Sequence, residues 1–128
     1  MVKKVLKAVA ILALLIFLIF LRVFIHQYKE FKKGEAAFSS KDYKEASTHY
    51  ETALHMYTPL SPYIEQSKNR MLEIAKIYEQ NNEYRWALIT YEDLRSSLYS
   101  VKSFYLPYPE VVTICDSKIA ELIKKVEQ

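Results

Sequence analysis

Two kinds of hydrophobic pattern divide the chain. From Val5 to Ile25 the sequence reads VLKAVAILALLIFLIFLRVFI, 21 residues in which only Lys7 and Arg22 are charged. Beyond His26, apolar residues recur at helical spacing instead. Tyr43, Ala46, Tyr50, Ala53, Leu54 and Tyr57 fall at offsets of 0, 3, 7, 10, 11 and 14. Tyr84, Ala87, Tyr91, Leu94, Leu98 and Val101 fall at 0, 3, 7, 10, 14 and 17. Val112, Cys115, Ile119, Leu122 and Val126 form a third series. At about 3.6 residues per turn, each series lays one apolar stripe along a helix. Ser61-Pro62 supplies an N-cap and a first-turn proline, which predicts a helix of about 19 residues ending near Gln80. Asn81-Asn82 marks a turn, and Pro107 and Pro109 punctuate the last connection. The expectation is an all-α chain: an N-terminal transmembrane helix within residues 1–25, then a domain over 26–128 with about five helices.

A helix of 21 residues rises roughly 31 Å, enough to cross a hydrocarbon core about 30 Å thick. Lys7 and Arg22 lie close enough to its ends to extend their charges toward headgroups. A buried soluble helix would need surroundings that the rest of the chain is too small to supply. A cleaved secretory signal is the stronger rival, with Lys3, Lys4 and Lys7 as its basic region. The apolar run exceeds the usual 7–15 residues of such signals and leads into LRVFIHQ, which has no small-x-small cleavage pattern. No cysteine follows it for lipoprotein attachment. The expectation is an uncleaved anchor that meets the lipid bilayer through residues 5–25. Orientation cues conflict. Three bases stand upstream, while Arg22, Lys29, Lys32, Lys33 and Lys41 stand downstream. The crowding of the upstream bases favours an inside N-terminus, with residues 26–128 translocated, as in a bacterial inner-membrane protein with a periplasmic module.

The chain also repeats itself. At an offset of 41, Tyr43, Ala46, Tyr50 and Glu51 match Tyr84, Ala87, Tyr91 and Glu92. At an offset of 48, Tyr57 and Pro59 match Tyr105 and Pro107, and EIAKIYEQ (73–80) aligns with ELIKKVEQ (121–128). The added seven residues are about two helical turns, so a helix can lengthen there without much rotation of its apolar face. A repeated helix pair is the simplest account.

These residues resemble the tetratricopeptide repeat, a helix-turn-helix unit. In its pattern a small residue in the first helix is followed by an aromatic that opens the second, and then by an alanine, an aromatic and a further alanine. Gly34, Tyr43, Ala46, Tyr50 and Ala53 meet all five places. Ala75, Tyr84, Ala87 and Tyr91 meet four, with Leu94 replacing the last alanine. The resemblance covers roughly residues 27–99. It implies repeats at about 27–60 and 61–106, closed by a solvating helix over 109–128. Glu30, Lys33 and Ala37 depart from the pattern, which leaves Tyr28, Phe31 and Phe38 to carry the packing of the first helix. The small residues Ala46, Ala53, Ala75 and Ala87 are expected at close helix approaches, and Tyr50 and Tyr91 between helix pairs.

In such arrays the first helices line a concave groove for peptides or partner helices. The resemblance therefore implies Tyr28, Phe31, Glu35 and Phe38 as partner-contacting residues in the first unit. In the second they are Asn69, Leu72, Lys76 and Glu79. Repeats that capture a C-terminal carboxylate carry Lys and Asn where this chain has Phe31 and Glu35, so that activity is not implied. Trp86 reads equally as an interface anchor or as a core or rim residue.

Composition narrows the chemistry. Of the 18 bases, Lys3, Lys4, Lys7 and Arg22 lie in residues 1–25 with no acid, which leaves 14 bases against all 15 acids in the remainder. The basic excess belongs to the N-terminal segment, and no nucleic-acid partner is expected. Gly34 is the only glycine, which disfavours phosphate-cradling loops, and Cys115 is the only cysteine, which excludes an internal disulfide or a cysteine-built zinc site. Cys115 sits on an apolar stripe and reads as a small core residue. His49 and His55 are six residues apart, about 120° from alignment on a helix, and not the i, i+4 pair a metal would want. Glu92-Asp93 reads as solvated surface. No motif for hydrolase, nucleotide or metalloprotease chemistry occurs. The expectation is a non-enzyme without cofactor or evident small-molecule substrate: an adaptor or scaffold in a membrane-associated complex, its protein or peptide partner unspecified. Two alternatives stand beside it. One is a structural accessory subunit held by its spanning helix, although that helix offers only Ala8, Ala10 and Ala13 as small contact residues. The other is an organelle-surface receptor with a cytosolic repeat module.

Overall fold

Between Val2 and Phe38 the sequence contains no proline and a single glycine, so nothing interrupts a helix where the apolar run gives way to the amphipathic stretch. The computed structural model describes residues 1–56, 58, 61–102 and 106–128, and in it these two stretches form one helix. Five helices occur among the described residues: α1 (Val2–Ser39), α2 (Tyr43–His55), α3 (Pro62–Gln80), α4 (Tyr84–Ser100) and α5 (Pro109–Glu127). No strand is present among them. Among the described residues, positions 26–128 thus hold the expected five helical segments, but the first of them is not separate: it continues the apolar stretch as the second half of α1. Helix α1 has 38 residues and is therefore about 57 Å long. It is long and apolar enough to cross a membrane, and none of its most apolar window is buried within the chain.

The two tight turns have matching geometry. Ser40 and Asn81 close their helices at φ,ψ of −86°, 7° and −90°, 6°. Lys41 and Asn82 follow in the left-handed region, at φ 61° and 60°. The Asp42 amide then donates to the Ala37 carbonyl at 2.9 Å, and the Glu83 amide to the Tyr78 carbonyl at 2.8 Å. These backbone bonds satisfy carbonyls that the helix ends leave open. Each pair of residues is 41 apart, the offset at which the flanking sequences match. The Asp42 carboxylate also caps the Glu45 amide at 3.2 Å. Ser61 accepts from the Tyr63 amide at 3.3 Å, which places the start of α3 where the Ser-Pro pair predicts it. Tyr57, Pro59 and Tyr105, three of the residues matched at the larger offset, lie outside the described residues.

Successive helices pack on one another, with additional contacts between α2 and α4 and between α1 and α3. The result is two layers: α1 and α3 on one side, with α5 linked to α3 by an ion pair, and α2 and α4 on the other. Ala46, Ala53, Ala75 and Ala87 are completely buried, as their expected place at close approaches requires, and so is Tyr50; Tyr91 is buried to within 1%. A methyl added to Gly34 would sit 2.7 Å from Tyr50 Cε1, so the absence of a side chain there sets the spacing of α1 and α2. The buried face of α1 consists of Gln27, Glu30, Phe31 and Gly34. Tyr28 does not share in it as expected; it is 41% exposed and meets Tyr63 edge-on, at 5.4 Å between centroids.

Candidate functional site

The layer containing α1 and α3 carries all eight residues that the sequence nominates for partner contact, and the structure gives them different situations. Phe31 is buried and Leu72 is packed against the core. Glu35 is held from two sides. The Tyr50 hydroxyl donates to its Oε1 at 2.6 Å, and Arg70 donates to both its oxygens at 2.9 and 3.1 Å. Burial pushes the Glu35 carboxyl up, but the Arg70 and Tyr50 hydrogen bonds outweigh it and hold the group below the usual carboxylate range. Burial, and then the bond to Glu35, raises the Tyr50 hydroxyl, and the Glu35 carboxylate raises the Arg70 guanidinium. Arg70 also pairs with Glu73 at 3.0 Å and lies over the Phe38 ring at 4.3 Å.

Glu79 stands in a corresponding arrangement one unit along. The Tyr91 hydroxyl donates to it at 2.6 Å, and Lys118 of α5 pairs with its other oxygen at 3.1 Å. Burial and this bond raise the Tyr91 hydroxyl. Each cluster therefore ties a glutamate of one outer helix to a buried tyrosine of the following helix and to a cation of the next outer helix. A partly buried, charge-assisted network of this kind fixes helix positions more firmly than an exposed pair does.

Three of the nominated residues, Phe31, Glu35 and Asn69, share a shallow groove of about 240 Å³ between α1 and α3. Tyr28, Asn69 and Lys76 are exposed. Among the described residues, no hydrogen bond or ion pair engages Asn69 or Lys76. Tyr28 has the Lys32 ammonium over its ring, at 5.6 Å, and the Tyr63 ring at its edge. Within the groove the Asn69 amide is thus free, while Glu35 and Glu73 are both paired with Arg70. The Lys76 ammonium and the Tyr28 ring belong to the same layer but stand outside the groove lining. On the opposite layer Trp86 occupies a rim position, 40% exposed, stacked on Tyr78 and covered by Lys44 at 5.0 Å from its ring.

Several structural residues were missed by sequence reasoning. Gln27 is fully buried; its Nε2 donates to the carbonyls of Ala53 and Met56 at 3.1 and 2.9 Å, and its Oε1 accepts from the hydroxyls of Thr58 and Ser61. It joins α1 to the end of α2 and the start of α3. Glu30, a departure from the repeat pattern, is buried and bonded to His49 Nδ1 at 2.8 Å and to Lys33 at 3.3 Å. Burial raises its carboxyl, and those two bonds lower it further than burial lifts it. Glu92 and Asp93 are half-buried, which corrects their reading as solvated surface. Burial, then Glu92, pushes the Asp93 carboxyl up, and burial, then Asp93, does the same to Glu51.

Reactive geometry points away from covalent chemistry at the residues closest to it. Ser97 Oγ lies 3.0 Å from His55 Nε2 but is fully buried and donates to the Asp93 carbonyl at 2.8 Å. It therefore accepts from the imidazole, the reverse of an activated nucleophile. Cys115 is fully buried, and burial, with Asp116, pushes its thiol up to about 11. No cluster of metal-ligating side chains occurs among the described residues. No family model, curated protein or solved structure matches the chain.

Proposed function

We propose that the chain is a membrane-anchored, tetratricopeptide-like interaction module that serves as an adaptor or scaffold in a membrane-associated complex. The observation that carries this reading is the continuity of α1. One rod of 38 residues has an uncovered apolar half and a second half whose Gln27–Gly34 face is buried in the helical module. With that apolar half in a bilayer, the module stands at a fixed place against the membrane surface, where its effective concentration for membrane-bound partners is high. The matching turns and the recurrent glutamate–tyrosine–cation clusters support the repeat reading. Tyr28, Asn69 and Lys76 supply the partner contacts. The charge crowding of Lys3, Lys4 and Lys7 supports an inside N-terminus and a translocated module, as in a bacterial inner membrane.

Exchanging residues 1–25 for an unrelated spanning helix tests the adaptor role. An adaptor keeps its cross-linked partners, whereas a subunit bound through its membrane helix loses them, and that loss overturns the proposal. Protease accessibility of residues 26–128 in intact and opened cells tests the orientation.

A further inference from the structure

A second groove, of about 630 Å³, runs along α1 where its apolar half ends. Leu18, Leu21, Val23 and Ile25, with Met56 from the end of α2, form its apolar lining, and Arg22, His26 and Lys29 stand beside them. The spacing explains the grouping, since positions 22, 26 and 29 fall at i, i+4 and i+7 on a helix. All three polar residues are exposed, and among the described residues none of them has a hydrogen bond or ion-pair partner. Farther along, Arg70, Arg95, Lys118 and Lys125 pair with carboxylates and Lys44 and Lys68 lie over aromatic rings, while cations unpaired among the described residues, such as Lys76 and Arg85, stand singly. At positions 22, 26 and 29 three such groups stand together, beside an apolar groove at the end of the spanning stretch.

We propose that this groove binds one anionic phospholipid, with the headgroup phosphate held by Arg22, His26 and Lys29 and an acyl chain lying along Leu18, Leu21 and Ile25. The inference rests on the membrane reading given above. If the hydrocarbon core begins near Val5, its thickness of about 30 Å is used up near residue 25. Lys29 then stands about 6 Å beyond that boundary, the depth of one headgroup layer, and Arg22 about 5 Å inside it, from where its long side chain reaches the headgroups. Arginine presents a planar fork suited to phosphate, and lysine and imidazole add single donors. A soluble acidic peptide could reach the cations but not the leucines, which lie on the lipid side of them. The occupant that satisfies both chemistries is a lipid with a negative headgroup.

The test uses the full chain in a non-ionic detergent, with native mass spectrometry to count retained phosphatidylglycerol or phosphatidylcholine. The wild type is expected to keep one phosphatidylglycerol in preference to phosphatidylcholine. The variant Arg22→Gln/His26→Gln/Lys29→Gln is expected to lose it by at least tenfold, since each cation near an anionic headgroup contributes roughly fivefold. The control Lys3→Gln/Lys4→Gln/Lys7→Gln, which also replaces three basic residues, is expected to retain it. Equal retention of the two lipids, equal loss in both variants, or displacement of the lipid by inorganic phosphate alone would each overturn the site. Co-sedimentation of wild type and both variants with phosphatidylcholine vesicles reports the anchor separately. Failure there removes the membrane reading and the site together, whereas binding to those vesicles without a headgroup preference removes the site alone.

Discussion

Replacing Gly34 by alanine sets two effects of opposite sign against each other, and the structure decides which is larger. In a helix interior the exchange gains roughly 0.5–1 kcal/mol of backbone entropy. Against this, the new methyl would lie 2.7, 2.9 and 3.1 Å from three ring atoms of Tyr50. That ring has little freedom to retreat. It is completely buried, its hydroxyl is bonded to Glu35 at 2.6 Å, and Phe31 lies against it at 5.9 Å between centroids. Overpacking of this kind costs about 1–3 kcal/mol. The net expectation for Gly34→Ala is a loss of about 1–2 kcal/mol, or roughly 5–10 °C in Tm for a module of this size. Near-ultraviolet circular dichroism of the tyrosines, followed through thermal unfolding of the full chain in detergent, reads it. In the double variant with Tyr50→Phe, the ring is released from Glu35, and the two substitutions should cost less together than their sum. A Tm that rises in Gly34→Ala would show that the ring yields, and would refute the account of the α1–α2 spacing.

Other substitutions probe different links. Ala87→Leu puts three extra carbons into a fully buried site in α4 and should lower Tm by an amount equivalent to about 1–3 kcal/mol in the same assay. Gln27→Leu removes four hydrogen bonds, to the Ala53 and Met56 carbonyls and from the Thr58 and Ser61 hydroxyls, and should cost about 2–4 kcal/mol by urea unfolding. Lys41→Gly removes a side chain from a left-handed position and should stabilise by about 0.5–1 kcal/mol, measured the same way. Glu35 titrates below its ordinary range in the folded chain, so its contribution is complete above the unfolded value of 4.5 and is lost as pH falls through the folded one. Glu51 and Asp93, which are raised, act in the opposite sense, so the comparison is between wild type and Glu35→Gln. Wild type should lose more stability than the variant when Tm is followed below about pH 4.5, and parallel profiles would count against the Glu35–Arg70 network.

Much of the architecture is local and therefore legible in order along the chain. The start of α3 at Ser61-Pro62, its end at Gln80 and the start of α5 at Pro109 follow from capping and from the backbone limits of proline, which act within a few residues. Burial of Ala46, Ala53, Ala75, Ala87, Tyr50 and Tyr91 follows from helical periodicity, because apolar residues on one stripe have one face to hide. The 21-residue apolar run likewise declares its length and character by itself. Polar burial belongs to the tertiary structure. Gln27 and Glu30 look like surface residues in a one-dimensional pattern, yet they are buried because α2 brings carbonyls and an imidazole to them. Glu35 meets partners 15 and 35 residues away, and no periodicity encodes such a meeting. The groove candidates divide for the same reason: the repeat resemblance implied all eight, and the packing of the helices decided that Phe31 and Leu72 serve the core and that Glu35 and Glu79 are held by Tyr50, Arg70, Tyr91 and Lys118. A stripe of apolar residues carries its instruction in its own spacing, whereas a hydrogen bond needs both partners in place before either has a role.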